Sequence, residues 1–305
     1  MKLIWMPIAL MGLLTCGGNR AEESVEPTAT TLIENIDPFA DYWYAGKAEI
    51  SSYDLRQMRY GEARNGDAVL VFVTEPFSQS KQVKLDNPSA AGEDNVSVLK
   101  LNQLRKFNTG IYDYSVMTSV FHPVQVDQFP RPLKLTNSIQ EWCGQTFLQL
   151  NLDGSKYRTH GFSYFESEGD VEGKVTAAMT EDALFTHLRL HRGQLPEEEL
   201  ELIPSLFYTR MKHTNNLRAH KARITKEASE STATYIVEYY HFPRTVKIEV
   251  EQSFPYAILG WQEEEGNGSE KMVTRAQLRK RINEPYWQQN SNEYGSMRVG
   301  LGLSQ

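Results

Sequence analysis

The chain is poor in cysteine, in basic charge and in long apolar runs, and each shortage excludes something. Two cysteines, Cys16 and Cys143, in 305 residues leave no disulfide framework. Acidic residues outnumber basic ones 39 to 32, for a net charge of −7. That balance excludes nucleic acid and anionic lipid surfaces as the main partner, because both demand a basic footprint. Beyond the first residues no apolar stretch reaches the ~20 residues of a membrane-spanning helix. The motifs of common enzymes are also missing: no Gly-x-Ser-x-Gly elbow, no Gly-rich phosphate loop with Lys, no His-Glu-x-x-His. Catalytic groups can be remote in sequence, so this lowers the odds of an enzyme without excluding one. Aromatics are abundant, with 15 Tyr, 13 Phe and 5 Trp, enough for a sizeable core.

The N-terminus carries the most information. Lys2 precedes an apolar run from Leu3 to Leu14, about as long as a secretory h-region and too short to span a bilayer. Cys16 follows directly in Leu13-Leu14-Thr15-Cys16. This junction resembles the lipobox of bacterial lipoproteins, although Thr15 stands where Gly, Ala or Ser is preferred. The resemblance implies cleavage before Cys16, thioether lipidation with acyl chains such as palmitate, and tethering to a membrane. Gly17 after the cysteine, in place of Asp, implies the outer membrane. The plainer alternative is an ordinary signal peptide with a coincidental cysteine. Removing residues 1–15 deletes one Lys and no acid, moving the net charge from −7 to −8. Residues 16–36 are small, polar and acidic and read as a flexible tether. With Cys16 acylated, Cys143 has no partner and must be buried or reactive. The expectation is a core thiol, since free cysteine is among the most buried residue types.

From Lys47 onward the pattern is strands at short intervals. Asp37-Pro38 marks a helix start running through Trp43. A hairpin is predicted around Asn65-Gly66, returning through Ala68–Thr74, and another around Asn108-Thr109-Gly110. Leu133–Trp142, 146–151 and Lys156–Glu166 read as strands, the last two joined at Asp153-Gly154. A helix is predicted over Thr180–Leu190, with Glu181 and Asp182 in its first turn. Strands resume over Leu200–His213, Leu217–Lys226, Thr232–His241, Arg244–Gln252, Tyr256–Glu264 and Lys271–Leu278. The cleanest alternation sets Val246, Ile248 and Val250 against Lys247, Glu249 and Glu251. The fold class expected is therefore mainly β: an antiparallel meander curled into a barrel or half-barrel, or split into a sandwich, with one or two short helices. Residues 37–285 form a single β-rich domain in this reading, and 286–305 a frayed polar tail.

Candidate chemistry is thin. Cys143 lies in Glu141-Trp142-Cys143-Gly144-Gln145 and becomes a nucleophile only if the fold supplies a histidine. His187 and His191, four apart, would share a helix face and could hold a metal, but two ligands with Arg189 and Arg192 beside them fall short of a site. The acidic alternation Glu166, Glu168, Asp170, Glu172 reads as a solvated turn. Tyrosines at 42, 44, 112, 114, 157, 164, 235, 239 and 240, with Trp43 and Phe165, either fill the core or wall a chamber for an apolar or sugar ligand. No cofactor is expected.

Lys106-Phe107-Asn108-Thr109-Gly110-Ile111-Tyr112 and Ser138-Ile139-Gln140-Glu141-Trp142-Cys143-Gly144 resemble segments of an uncharacterised family of bacterial lipoproteins. Members are sometimes labelled septum formation inhibitor Maf. The resemblance would cover most of the mature chain and implies no established activity. The label would imply a nucleotide pyrophosphatase, but the Ser-rich, Arg-containing phosphate loop that opens true Maf proteins has no counterpart here. The function expected is thus a lipid-anchored cell-envelope protein acting by binding or structural support. Its partners would be a membrane through the anchor, and a ligand or another envelope protein. An envelope hydrolase or transferase with a motif-free site is the alternative.

Overall fold

The computed structural model describes residues 38–213 and 216–303. Cys16 and the stretches that the sequence reads as a signal peptide and a tether lie outside the described residues. Within them the chain is mainly β, as its alternation predicts, and its strands form one sheet. These strands are β1 (Ala48–Arg59), β2 (Glu62–Ser78), β3 (Asn95–Thr109), β4 (Tyr112–Pro123), β5 (Lys134–Glu141), β6 (Gly144–Asp153), β7 (Lys156–Ser163) and β8 (Val171–Thr176). The remainder are β9 (Met179–Thr180), β10 (Glu199–Ile203), β11 (His220–Ala228), β12 (Thr232–Tyr239), β13 (Arg244–Glu251), β14 (Ile258–Glu265) and β15 (Met272–Glu284). The helices are α1 (Pro38–Trp43), α2 (Leu184–Leu190), α3 (Leu206–Met211) and α4 (Gly295–Gly300).

Two runs of hairpins, β1 to β8 and β9 to β15, join where β1 pairs with β15. Every neighbouring pair is antiparallel except β9 with β10. The sheet does not close: its edges are β8 and β9, which follow each other in sequence across Ala177 and Ala178. It nonetheless curls on itself, because Arg105 on β3 reaches Glu263 on β14 at 2.5 Å, although β2, β1 and β15 lie between their strands.

Alternation along β1 sorts its side chains. Tyr53 and Leu55 join the main core, whereas Ala48 and Ile50 join a small cluster on the other face. The main core contains Trp43, Phe72, Tyr114, Tyr157, Tyr235 and Tyr239. It also contains Leu184, Phe185 and Leu188 of α2 with its preceding turn, and Leu206 and Phe207 of α3. Helices therefore occupy the concave side, and Trp43, Tyr114, Tyr157, Tyr235 and Tyr239 of the aromatics noted in the sequence help fill it, whereas Tyr44, Tyr164 and Tyr240 are exposed.

Three of the predicted elements differ in detail. The first hairpin turns at Tyr60-Gly61, both at positive φ (55° and 76°), as a tight hairpin turn requires. Gly66 lies inside β2, where a Cβ would stand 2.1 Å from the Lys106 carbonyl oxygen, so close approach of β3 explains that glycine. The expected strand over Leu200–His213 is β10 followed by α3. Pro204-Ser205 breaks it, and the Ser205 hydroxyl accepts from the Tyr208 amide at 3.4 Å as an N-cap. The segment after Pro285, expected to fray, carries short 3-10 turns and α4. Leu301 is buried against Ala48, Ile50 and Val73, and Ser52 donates to its carbonyl at 2.6 Å. The convex face of β1 and β2 is apolar here and needs this cover.

No described helix is long and apolar enough to cross a membrane.

Candidate functional site

The interior helices are fastened by ion pairs. Arg189 of α2 grips Glu49 of β1 in a bidentate pair at 2.7 and 2.5 Å, and Tyr42 donates to the same carboxylate at 2.6 Å. Glu181, in the 3-10 turn before α2, pairs with Arg244 of β13 and accepts from Tyr239 at 2.8 Å. Arg105 bridges Glu263 and the Gln57 amide oxygen, 3.1 Å away. Asp182 accepts the Leu206 amide at 2.8 Å, linking the start of α2 to the start of α3. The guanidinium of Arg189 holds the Glu49 carboxyl below its ordinary range against the opposing effect of burial. Asp182 has no cation at bonding distance among the described residues, and burial raises it to about 6. The Glu49–Arg189, Glu181–Arg244 and Arg105–Glu263 pairs bond to one another across the interior, so they hold the helices in the sheet.

The groups that do converge on an opening lie at one end of the first hairpin run, where four turns come side by side. The β1–β2 turn brings Arg59 and Tyr60, and the start of β4 brings Tyr114. The β5–β6 turn adds Cys143, and the loop between β7 and β8 adds Phe165 and Glu168. The end of α3 adds Arg210 and His213. Together they line a cleft of about 130 Å³.

Its geometry has two halves. In one, Arg59 donates to the hydroxyls of Tyr60 (3.1 Å) and Tyr114 (3.3 Å), which bond to each other at 3.1 Å. The guanidinium stacks 4.2 Å from the Tyr60 ring centre. Burial raises both phenols, but hydrogen bonds from Tyr114 and Tyr112 and the charge of Arg59 leave Tyr60 below its usual value. Tyr114 shifts the opposite way, through burial and its bond to Tyr60. In the other half, buried Glu168 pairs with Arg210, accepts from Ser163 at 2.7 Å and holds His213 Nδ1 at 2.6 Å. Those donors outweigh burial and keep Glu168 ionised. His213 stands in the left-handed region at φ 51°, just past the helix end.

Glu168 is already engaged by three donors, so the cleft offers chiefly the donors of Arg59, Tyr60 and His213 between aromatic faces. Glu141 supplies an acceptor at its edge. This set suits a small oxygen-rich group.

Cys143 is exposed, which corrects the expectation of a core thiol. The reason is the turn itself: β5 ends at Glu141 and β6 begins at Gly144, so residues 142 and 143 stand at the tip. Its amide donates to Glu141 at 2.8 Å, and hydrogen bonding and charge from the same carboxylate push the thiol above its ordinary value. His187 of α2 and His191 just past its end do come together, their rings stacked at 3.7 Å and 14°. Buried His122 stands 6.5 Å from His187 and bonds Thr186 at 3.3 Å through Nδ1. No group of three or more His, Cys, Asp or Glu among the described residues is placed to hold a metal ion. Of the acidic alternation, Glu168 is no solvated turn residue but the buried partner of Arg210.

Sequence reasoning missed Arg59, Tyr60, Tyr114, Arg210 and His213 as a set, since they come from three separate stretches of chain. Comparison with protein-family models, curated proteins and solved structures finds no match for this chain.

Proposed function

We propose that this chain is a lipid-anchored protein of the cell envelope, moored through Cys16, that works by binding a small saccharide or carboxylated sugar in the rim cleft. The observation that carries the binding half is the meeting of Arg59, Tyr60 and His213 as donors around an opening of about 130 Å³ with aromatic walls. Aromatic faces beside planar charged side chains are the usual means of holding a sugar ring and its oxygens. The filled interior supports a site at the rim rather than a chamber for a lipid tail. The anchoring half rests on the lipobox resemblance at Cys16.

Titration calorimetry with N-acetylglucosamine, N-acetylmuramic acid and glucuronic acid tests the first half. At least one should bind, and Arg59→Met should weaken it tenfold or more. Heats absent for all three, or unchanged in Arg59→Met, would refute it. Mass spectrometry of the mature protein tests the second half: an acylated N-terminal Cys16 is expected, and an intact Met1 would end that assignment.

A second reading has one observation in its favour. Cys143 and His213 line the same cleft, with Glu168 behind the imidazole, an order that a hydrolase or transferase would use. The raised thiol of Cys143 speaks against it, because the thiolate is the nucleophile. Replacing Cys143 by Ser should leave saccharide binding intact, whereas a turnover lost in that variant would favour the enzyme.

A further inference from the structure

The open sheet leaves two strand edges that face each other. A cleft of about 840 Å³ separates Lys174 and Thr176 of β8 from Leu200 and Glu201 of β10. Ala177 and Ala178 cross the gap at one end, and β9 covers β10 only at Leu202 and Ile203.

Backbone parity shows which groups are left over. The Ala177 amide donates to Ser155 at 2.9 Å, in register with the β7–β8 ladder. Hydrogen-bonded pairs alternate in an antiparallel ladder, so Val175, Gly173 and Val171 bond toward β7. Glu172, Lys174 and Thr176 therefore turn their N–H and C=O groups to the gap. On the far side the Ile224 amide donates to Glu198 at 3.0 Å, in register with β10–β11. By the same alternation Glu199 and Glu201 face the gap.

We propose that this seam binds an extended peptide segment carrying carboxylates, which adds as a strand to the free edge of β8. Two unpaired strand edges across one cleft call for backbone donors and acceptors, which a peptide supplies and a lipid chain does not. The walls are apolar, with Val175, Met179, Leu200 and Leu217 among them. Charge gives the sign of the partner: Arg131, Lys174 and Arg218 line the cleft against Glu201 alone. Neither Arg131 nor Arg218 has an ion pair among the described residues, and Lys174 meets only Asp153, at 3.5 Å. β8 has six residues, which at about 3.3 Å each sets the bound stretch near 20 Å.

The test is selection of a displayed random octapeptide library on the full-length chain. Enriched sequences should alternate apolar residues with Asp or Glu, and a synthetic copy should protect the amides of Glu172, Lys174 and Thr176 from hydrogen exchange. Lys174→Pro removes one outward N–H without breaking the β7 ladder, and should weaken that peptide tenfold or more. Arg131→Glu with Arg218→Glu should weaken it similarly. As a control that leaves the protein untouched, the same peptide N-methylated at alternate residues should fail to bind. No enrichment over a blank surface would overturn the proposal. So would equal binding of the N-methylated peptide, or palmitate occupying the cleft while no peptide does.

Discussion

Acid should loosen this fold through His122, and the effect can be worked out in advance. The ring is 1 % exposed, and its Nε2 has no hydrogen-bond partner among the described residues. Burial, followed by the neighbouring charges of His187 and His191, lowers it to about 3 from an ordinary 6.5. The folded value lies below the unfolded one, so between them the unfolded chain binds the extra proton. The contribution of His122 is complete above 6.5 and is lost as pH falls toward 3. At pH 5, about 1.5 units below the unfolded value, the loss is about 2 kcal/mol. His187, lowered to about 3 by burial and then by His191, adds a similar amount. Asp182 acts in the opposite sense. Its folded value of about 6 exceeds the unfolded 3.8, so it destabilises the fold at neutral pH and recovers roughly 1 kcal/mol on going from pH 7 to 5. Urea unfolding at pH 7 and pH 5 should therefore show a net loss of ~2–3 kcal/mol. In His122→Leu that loss should shrink by about 2 kcal/mol, even if the variant is less stable at both pH values. An unchanged difference between the two pH values in His122→Leu would refute the reasoning, because the imidazole would then be protonated or hydrated inside the fold.

Three other outcomes follow from named contacts. Either Glu49→Gln or Arg189→Met should cost ~3–5 kcal/mol in urea unfolding, since each strands a buried charge or its partner, while Glu49→Leu with Arg189→Met should regain most of it. Gly66→Ala should destabilise by ~1–3 kcal/mol, because its Cβ meets the Lys106 carbonyl and β3 must move; stability equal to the parent would show that β2 and β3 are not paired there. Native Cys143 should react with a thiol reagent without denaturant, slowly at pH 7, and several-fold faster in Glu141→Gln. Labelling only after unfolding would contradict its position at the turn tip.

The amino-acid order alone determined the class of the fold and most of its strands, because side-chain alternation is a local property. Val246, Ile248 and Val250 point inward whatever else the chain does. It also determined the helix after Thr180, whose hydroxyl accepts the Ala183 amide as a cap. Tertiary structure decided the rest. Asn65-Gly66 has the chemistry of a turn, yet Tyr60-Gly61 makes it, since the register that buries Leu70 and Phe72 on the β1–β3 ladders sets where the hairpin must reverse. The placement of Cys143 at a rim, beside a histidine 70 positions away in the chain, is a matter of which turns stack at one end of the sheet. The same holds for the interior helices: Glu49 and Arg189 are 140 residues apart, and only the curl of the sheet around α2 puts them in contact. Local pattern fixes which face a residue occupies, whereas the partner across that face depends on how far the whole sheet bends.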